Sequence, residues 1–472
     1  MVKGTHRQWP LEGGWRHIVA FVLAVLAIAP RVWAAPGDLD PSFRGTGVAL
    51  TVIRGRAFHG FQVAVVRQDD GKLVVAGVSS GRNYRKYPPA FTLVRYRPDG
   101  TRDKQFGSSG IVATGRGKGA AEATAVVQQA DGKLVAAGYR DICSGGGGYG
   151  EPFCQRVFAL VRYDAQGRLD PSFGAGTGTV TTAFGSEFAN ANALVQQADG
   201  KLVAAGTSDG VFALVRYEPD GSVDPSFGTG TGTVLTPGGG AQGGAQALTQ
   251  QADGKLLAAG YVLIPGGDHK FLVVRYDSNG HLDPEFGAGT GIVSTPLPGV
   301  SGDLSFSAIL QQADGKIIAV GTVTGTATSG GQSRFAVVRY DTDGSLDPTF
   351  GGGMGIVTTL VRGDAIATAA VQQPDGKIIV AGYSNVAPIT EVSGMEYSCG
   401  LEFVPCETQF TLVRYEIDGT LDKSFGAQNS GTVTSIPGFA FGLLQQPDGR
   451  LVASGVSIVR KHDAFTVVRY LD

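Results

Sequence analysis

Hydrophobic and polar positions along the chain fall into short runs that return as a set. In one copy, Ala193-Leu194-Val195-Gln196-Gln197 reads as a strand, Ala198-Asp199-Gly200 turns it back, and Lys201-Leu202-Val203-Ala204-Ala205-Gly206 reads as a second strand. Phe212-Ala213-Leu214-Val215-Arg216-Tyr217 follows as a third, apolar on both faces. After Asp220-Gly221 and Val223-Asp224-Pro225-Ser226-Phe227-Gly228, Thr233-Val234-Leu235-Thr236 makes a fourth. Asp-Gly accepts the positive φ values of a two-residue hairpin turn. Strands apolar on both faces are expected where each sheet is sandwiched between two others. The set is written seven times, with Asp-Gly turns at Asp70, Asp131, Asp199, Asp253, Asp314, Asp375 and Asp448, at intervals of about 54 to 73 residues. Short strands and glycine turns at such a period predict a propeller.

The ends of the pattern fit this phase. Leu39-Asp40-Pro41-Ser42-Phe43 and Val48-Ala49-Leu50-Thr51 supply a fourth strand without its first three, and Phe465-Thr466-Val467-Val468-Arg469-Tyr470 closes the chain as a third strand without its fourth. Paired, they make one blade and hide the edges that an open sheet would expose. The sequence therefore predicts an all-β fold, a seven-bladed β-propeller of four-stranded antiparallel blades, with the ring closed by its N- and C-terminal strands.

Gln-x-Asp-Gly-Lys-Leu, Phe-x-Leu-Val-Arg-Tyr and Leu-Asp-Pro-Ser-Phe-Gly together resemble the bacterial delta-60 repeat β-propeller proteins, and more distantly the layout is similar to NHL-type propellers. The resemblance spans nearly all of residues 39–472. Two copies depart from it: Arg102-Asp103-Lys104-Gln105-Phe106 replaces Leu-Asp-Pro-Ser-Phe, and Gly449-Arg450 replaces Gly-Lys. The family is defined by its repeat, so the resemblance implies a fold and a bacterial source rather than an activity.

The 472 residues divide into residues 1–34 and the repeat domain, 35–472. Lys3, Arg7 and Arg16 precede an apolar run from Ile18 to Ala29 and the small-residue end Val32-Trp33-Ala34, the layout of a cleavable leader. The rival, a membrane anchor, needs a longer apolar run to span about 30 Å. No cysteine follows the cut, which disfavours a lipid anchor. An exported protein is expected (periplasmic, cell-surface or extracellular), without membrane insertion once the leader is gone, and monomeric. The chain carries a formal charge of −2, and the leader is its basic part, so the remainder lacks the basic field of a nucleic-acid binder. Cys143 with Cys154, and Cys399 with Cys406, form two close pairs read as disulfides of an exported chain; a four-cysteine metal site is the alternative.

Residues that repeat in every copy are expected to serve the fold. Arg95, Arg162, Arg216, Arg275, Arg339 and Arg414 are each followed eight residues later by Asp103, Asp170, Asp224, Asp283, Asp347 and Asp422; Arg469 is left with Asp40. A structural ion pair of bidentate type fits this spacing, against a ring of seven arginines binding an anion. The Gln-Gln pairs, such as Gln128-Gln129 and Gln311-Gln312, are read as amides satisfying backbone near the turns, at one mouth of the central channel. A single recurring carboxylate per unit, already matched to an arginine, does not make a calcium site.

Function is sought in what varies, the loop between second and third strands. It is short in the third unit, Thr207 to Val211. In the first it spans Val78 to Ala90 with Arg82, Tyr84, Arg85 and Tyr87; in the second it holds Tyr149 and Phe153 between the cysteines. In the sixth it spans Tyr383 to Gln409 with Tyr397, Glu402 and Phe403. Alternate turns lie on opposite sides of the disc, so one face is expected to be plain and the other rugged, with a basic aromatic loop near an acidic one. His269 and His462 join the candidate ligand-binding residues; His59 and His462 fall on adjacent blades but lack further ligands at metal-site spacing. Three literal motifs are set aside. Gly206-Thr207-Ser208-Asp209-Gly210 lacks a following helix, as does Gly145 to Gly150. Arg362-Gly363-Asp364 is a chance tripeptide in a loop. No catalytic residue, metal or cofactor is assigned. A non-catalytic module binding a cell-envelope glycan or protein through the insertion face is the leading expectation, over a secreted carbohydrate hydrolase or lyase acting in the central depression, or a scaffold.

Overall fold

A computed structural model describes residues 34–53, 56–57, 63–81, 88–115, 119–144, 153–185, 187–240, 242–264, 269–296, 304–324, 332–385, 408–459 and 462–472. Seven antiparallel sheets are arranged as seven blades. Blade 3 shows the plan: Ala189–Gln196 is innermost, then Leu202–Ser208, Val211–Tyr217 and the outer strand Thr233–Thr236. In blade 1 a short extra strand, Arg56–Ala57, joins Ala64–Arg67 on the second strand, Leu73–Gly81. Blade 7 takes Phe439–Gln445, Leu451–Val459 and His462–Tyr470 from one end of the chain and Val48–Val52 from the other, with Val48 opposite Val468.

The two middle strands of each blade are buried on both faces because neighbouring blades sandwich them. Val135, Ala137 and Phe158 of blade 2, for example, share one core with Ala189, Ala191, Leu202 and Ala213 of blade 3. Outer strands are only four residues long in most blades, which limits the edge available for unwanted pairing. At each junction a buried tyrosine hydroxyl meets a hydroxyl on the previous blade's outer strand. Tyr96 reaches Thr51, Tyr163 Thr114, Tyr217 Thr182, Tyr276 Thr236, Tyr340 Thr295, Tyr415 Thr359 and Tyr470 Ser435.

The turns on the plain face differ from the two-residue form expected. Gly132 N–H donates to Gln129 and Gln129 N–H to Lys133, and only the glycine has positive φ, 82°. This is a three-residue loop, Ala130-Asp131-Gly132, with aspartate in an ordinary conformation and glycine supplying the left-handed residue. Asp131 Oδ1 instead caps the turn by accepting the Lys133 N–H at 3.1 Å. A true two-residue turn occurs on the other face, at Asp209-Gly210, where both φ values are positive. A strand follows it, so no nucleophile elbow forms there.

The Arg–Asp pairs are single-pronged rather than bidentate. Each arginine donates through Nε to its aspartate, at 2.9 Å for Arg95–Asp103 and 2.7 Å for both Arg162–Asp170 and Arg469–Asp40. Nη1 is turned away because it crosses to the next blade, where Arg95 reaches the Ala165 carbonyl and Arg216 that of Ser278. The guanidinium also lies over the phenylalanine that follows the aspartate, 4.6 Å from the ring centroid in Arg162–Phe173. One side chain thus joins a strand, its turn and the neighbouring blade.

The seam follows the same plan. In an intact turn Arg97 N–H donates to Thr101 and Gly100 N–H to Arg97. Where the chain breaks, Leu471 N–H donates to Asp38 and Gly37 N–H to Leu471, both at 2.8 Å. Gly37 and Gly100 stand at the same spacing before Asp40 and Asp103. Pro36 offers Gly426 the carbonyl that Asp99 offers Arg44 at the adjoining junction, and Asp472 Oδ1 takes Arg414 Nη1 at 2.7 Å in place of a turn carbonyl. The two ends of the repeat domain rebuild one split turn.

Candidate functional site on the insertion face

The glutamines before the plain-face turns behave differently within each pair. Gln128 Oε1 accepts from Asp69 N–H of the preceding blade at 3.2 Å, and Gln311 Oε1 from Ala252 N–H at 3.0 Å, in line with amides serving backbone. The second residues (Gln68, Gln129, Gln197, Gln251, Gln312, Gln373 and Gln446) are buried, and their Oε1 atoms accept no hydrogen bond from the described residues. Beside Gln129, a cleft of about 450 Å³ between blades 2 and 3 is lined by Lys133, Arg162, Ser172, Pro219 and Asp220. Because these groups recur from blade to blade, the plain face offers repetition and little selectivity.

The opposite face carries a cluster that does not repeat. In blade 2 the second and third strands run on as Leu134–Ser144 and Phe153–Tyr163, well past the level at which the blade 3 hairpin turns. Cys143 and Cys154 stand directly opposite each other near its tip and are joined by a disulfide. Such a cross-link keeps a two-stranded extension from fraying. The connections entering blades 2 and 3 dock on its base, through Asp141 N–H to the Ala120 carbonyl and Arg156 N–H to the Glu187 carbonyl.

Strand alternation gives the hairpin two chemically distinct sides. Tyr139, Asp141 and Cys143, with their partners Phe158, Arg156 and Cys154, face blade 3. There Arg156 donates from Nε to Asp141 at 2.9 Å, and its guanidinium lies 3.7 Å from the Tyr139 ring centroid and 4.8 Å from that of Phe188. Tyr139 Oη donates to Oε2 of Glu122 at 3.2 Å. Burial pushes the Glu122 carboxyl up to about 7 despite the opposing pull of the Tyr139 hydroxyl and the Arg156 charge. Tyr139 is itself held above its ordinary range, first by burial and then by the Glu122 charge. Chemically, this is a half-buried acid that exchanges a proton near neutrality, hydrogen-bonded by a phenol and fixed beside a clamped guanidinium. The other side of the hairpin carries Ile142 and Phe153, which are 47% and 57% exposed, and Phe188 across the cluster is 48% exposed.

Of the residues selected from sequence, Phe153 belongs to this hairpin. His269 opens the third strand of blade 4, and its ring centroid lies 5.5 Å from that of Tyr261. His462 begins the third strand of blade 7, opposite Val459. Arg82, Tyr84, Arg85, Tyr87, Tyr149, Tyr397, Glu402 and Phe403 lie outside the described residues, as do His59, Cys399 and Cys406. Asp364 of the Arg-Gly-Asp tripeptide is tied down, its Oδ1 accepting Ser333 N–H at 2.7 Å. Sequence reasoning passed over Glu122, Tyr139, Asp141 and Arg156. A signal was present for Glu122: in a strand repeated seven times, its position holds Asn190, Gly244, Ser305, Ile366 and Phe439 in other blades. Among the described residues, no group of three or more His, Cys, Asp and Glu is placed to hold a metal ion, and no helix is long and apolar enough to cross a membrane.

A family model agrees with the architecture. The family model described as "Domain of unknown function (DUF5122) beta-propeller" matches residues 68–106, 197–227, 251–286, 312–350 and 373–391, about a third of the chain. No curated protein gives a significant match. Among solved structures, a protein of unknown function from Dyadobacter fermentans is 9% identical with a TM-score of 0.43, over 90% of this chain and 98% of that one. A catalytically inactive virginiamycin B lyase from Staphylococcus aureus with quinupristin is 8% identical with a TM-score of 0.45, over 89% and 98%. An ulvan lyase of polysaccharide lyase family PL25 is 11% identical with a TM-score of 0.45, over 89% and 95%. Likeness at that level carries no argument about chemistry. The chain is a seven-bladed β-propeller whose repeat matches the family model in five of its blades.

Proposed function

We propose that this protein is an exported, non-catalytic recognition module that binds a cell-envelope glycan or protein through its insertion face. The observation that carries the reading is the blade 2 hairpin. A disulfide-stapled extension holds exposed Ile142 and Phe153 away from the blade body, past the level at which the blade 3 hairpin turns. Exposed aromatic groups on a rigid support lose little entropy on binding. The disulfide is compatible with an oxidising compartment outside the cytoplasm.

A second reading is favoured by Glu122. A carboxyl poised at about 7 beside a tyrosine and an arginine is suited to general acid–base chemistry on a carbohydrate. One experiment separates the two. The oxidised protein is titrated with envelope polysaccharides and solubilised envelope proteins, and the same samples are followed for product. Saturable binding that is lost in an Ile142→Ser, Phe153→Ser variant, without turnover, supports recognition. Turnover abolished by Glu122→Gln supports the enzyme. Binding indifferent to the hairpin, with no product, overturns both.

A further inference from the structure

The split turn gives the region before it a specific chemistry. Ala34 and Ala35 are exposed, whereas Gly37 is buried. Pro36, Gly37 and Asp38 take part in the seam, and Ala35 is tied to Asp38. Ala35 N donates to Asp38 Oδ2 at 2.7 Å, the Pro36 carbonyl accepts from Gly426 N–H at 3.0 Å, and Gly37 and Asp38 exchange hydrogen bonds with Leu471. A chain beginning after Pro36 loses the carbonyl that latches blade 6 to blade 7. A chain beginning at Ala35 keeps all of these contacts.

We infer that the chain is processed by hydrolysis of the Ala34–Ala35 bond, and that the α-ammonium released at Ala35 is held by the Asp38 carboxylate as a charged clasp on the ring closure. Water supplies the hydroxyl that becomes part of the Ala34 carboxylate and the proton taken by the Ala35 nitrogen; nothing is oxidised or reduced. A leader peptidase that accepts small residues at the cut is the class of catalyst required, and Val32-Trp33-Ala34 presents such an end. Before the cut, Ala35 offers Asp38 one neutral amide N–H. Afterwards it offers a full charge in the same place, where opposite charge favours the protonated amine. Such a cut rests on the export part of the proposed reading and on nothing that the insertion face binds.

The test uses the full chain, produced in an exporting bacterium and recovered from outside the cytoplasm. Its intact mass and N-terminal residue are determined. The amine is then reductively methylated with ¹³C-formaldehyde and titrated by NMR, in the natural chain and in Asp38→Asn. Asp38 is exposed, so the variant keeps the core unchanged. The expected result is a chain starting at Ala35, with an amine titrating a few tenths of a unit above the usual range of about 7.7–8.0. In Asp38→Asn it returns to that range. A start at any other residue, export with the leader attached, or an amine indifferent to Asp38→Asn overturns the inference.

Discussion

Removing the carboxylate of Asp40 tests how the ring is held shut. Asp40 is 2% exposed and joins residues 429 positions apart. It accepts Arg469 Nε at 2.7 Å and the Ser42 N–H and Oγ–H at 2.9 and 2.7 Å, and Arg450 Nε lies 2.9 Å away. Asp40→Ala leaves the Arg469 guanidinium, 6% exposed, without its counter-charge. Stranding one partner of a buried pair costs about 3–5 kcal/mol. At roughly 2.1 cal/mol/K of unfolding entropy per residue, a domain of this length loses about 3–6 °C of Tm, read by differential scanning calorimetry. Asp224→Ala, the same staple inside the continuous turn of blade 3, is the control. If the seam reasoning holds, only Asp40→Ala also speeds hydrogen exchange in Val48–Val52 and His462–Tyr470. An unchanged Tm, or terminal strands exchanging no faster than in Asp224→Ala, refutes it.

Other expectations concern charge and connectivity. Burial opposes ionisation of Asp170, but the hydrogen bonds that Ser172 donates to it and the charges of Arg162 and Lys133 outweigh burial and hold the carboxyl at about 2. Asp224, Asp347 and Asp422 are lowered as well, against burial, by hydrogen bonds and ion pairing. Stability from these groups is complete above about pH 4 and is lost as pH falls toward 2, so fluorescence should report cooperative acid unfolding in that window. Glu122 acts in the opposite sense: its folded value of about 7 exceeds the unfolded one, so stability falls as pH rises from about 4.5 to 7. Glu122→Gln should remove that slope and stabilise the protein at pH 8 by at most roughly 3 kcal/mol, read from urea titrations at several pH values. Finally, a circular permutant joining Asp472 directly to Pro36 and opened within 297–303 should fold with a Tm within a few degrees of the natural chain, because the joined residues recreate a turn already formed at the seam. A permutant with lost far-UV dichroism contradicts that geometry.

The repeat was legible because every blade solves the same packing problem with the same residues. Strand order and the Arg–Asp spacing could be read from one copy and checked against others, and the number of copies gave the number of blades. The candidate site was less legible. Asp141 and Arg156 are fifteen residues apart and meet only because the hairpin places them opposite each other. Phe188 arrives from the connection to another blade, and the elevation of Glu122 comes from burial at that junction. The bidentate expectation failed for a similar reason: spacing within a blade gave no warning that Nη1 would be claimed by the neighbour's carbonyl.

By itself, the chain determined the local pieces: apolar runs of strand length, glycine at the left-handed turn positions, and a phase that starts and stops within one unit. These follow from sterics and hydrophobic patterning, which act over a few residues. The tertiary structure decided what depends on closure. It turned Pro36-Gly37 and Leu471-Asp472 into two halves of one turn, left a glutamine oxygen buried at every blade junction, and assembled Glu122, Tyr139, Asp141, Arg156 and Phe188 at a single junction. Those relations join residues distant in sequence, brought within hydrogen-bonding and van der Waals reach by closure of the ring, by pairing of strands within blade 2 and by the packing of blade 3 against it.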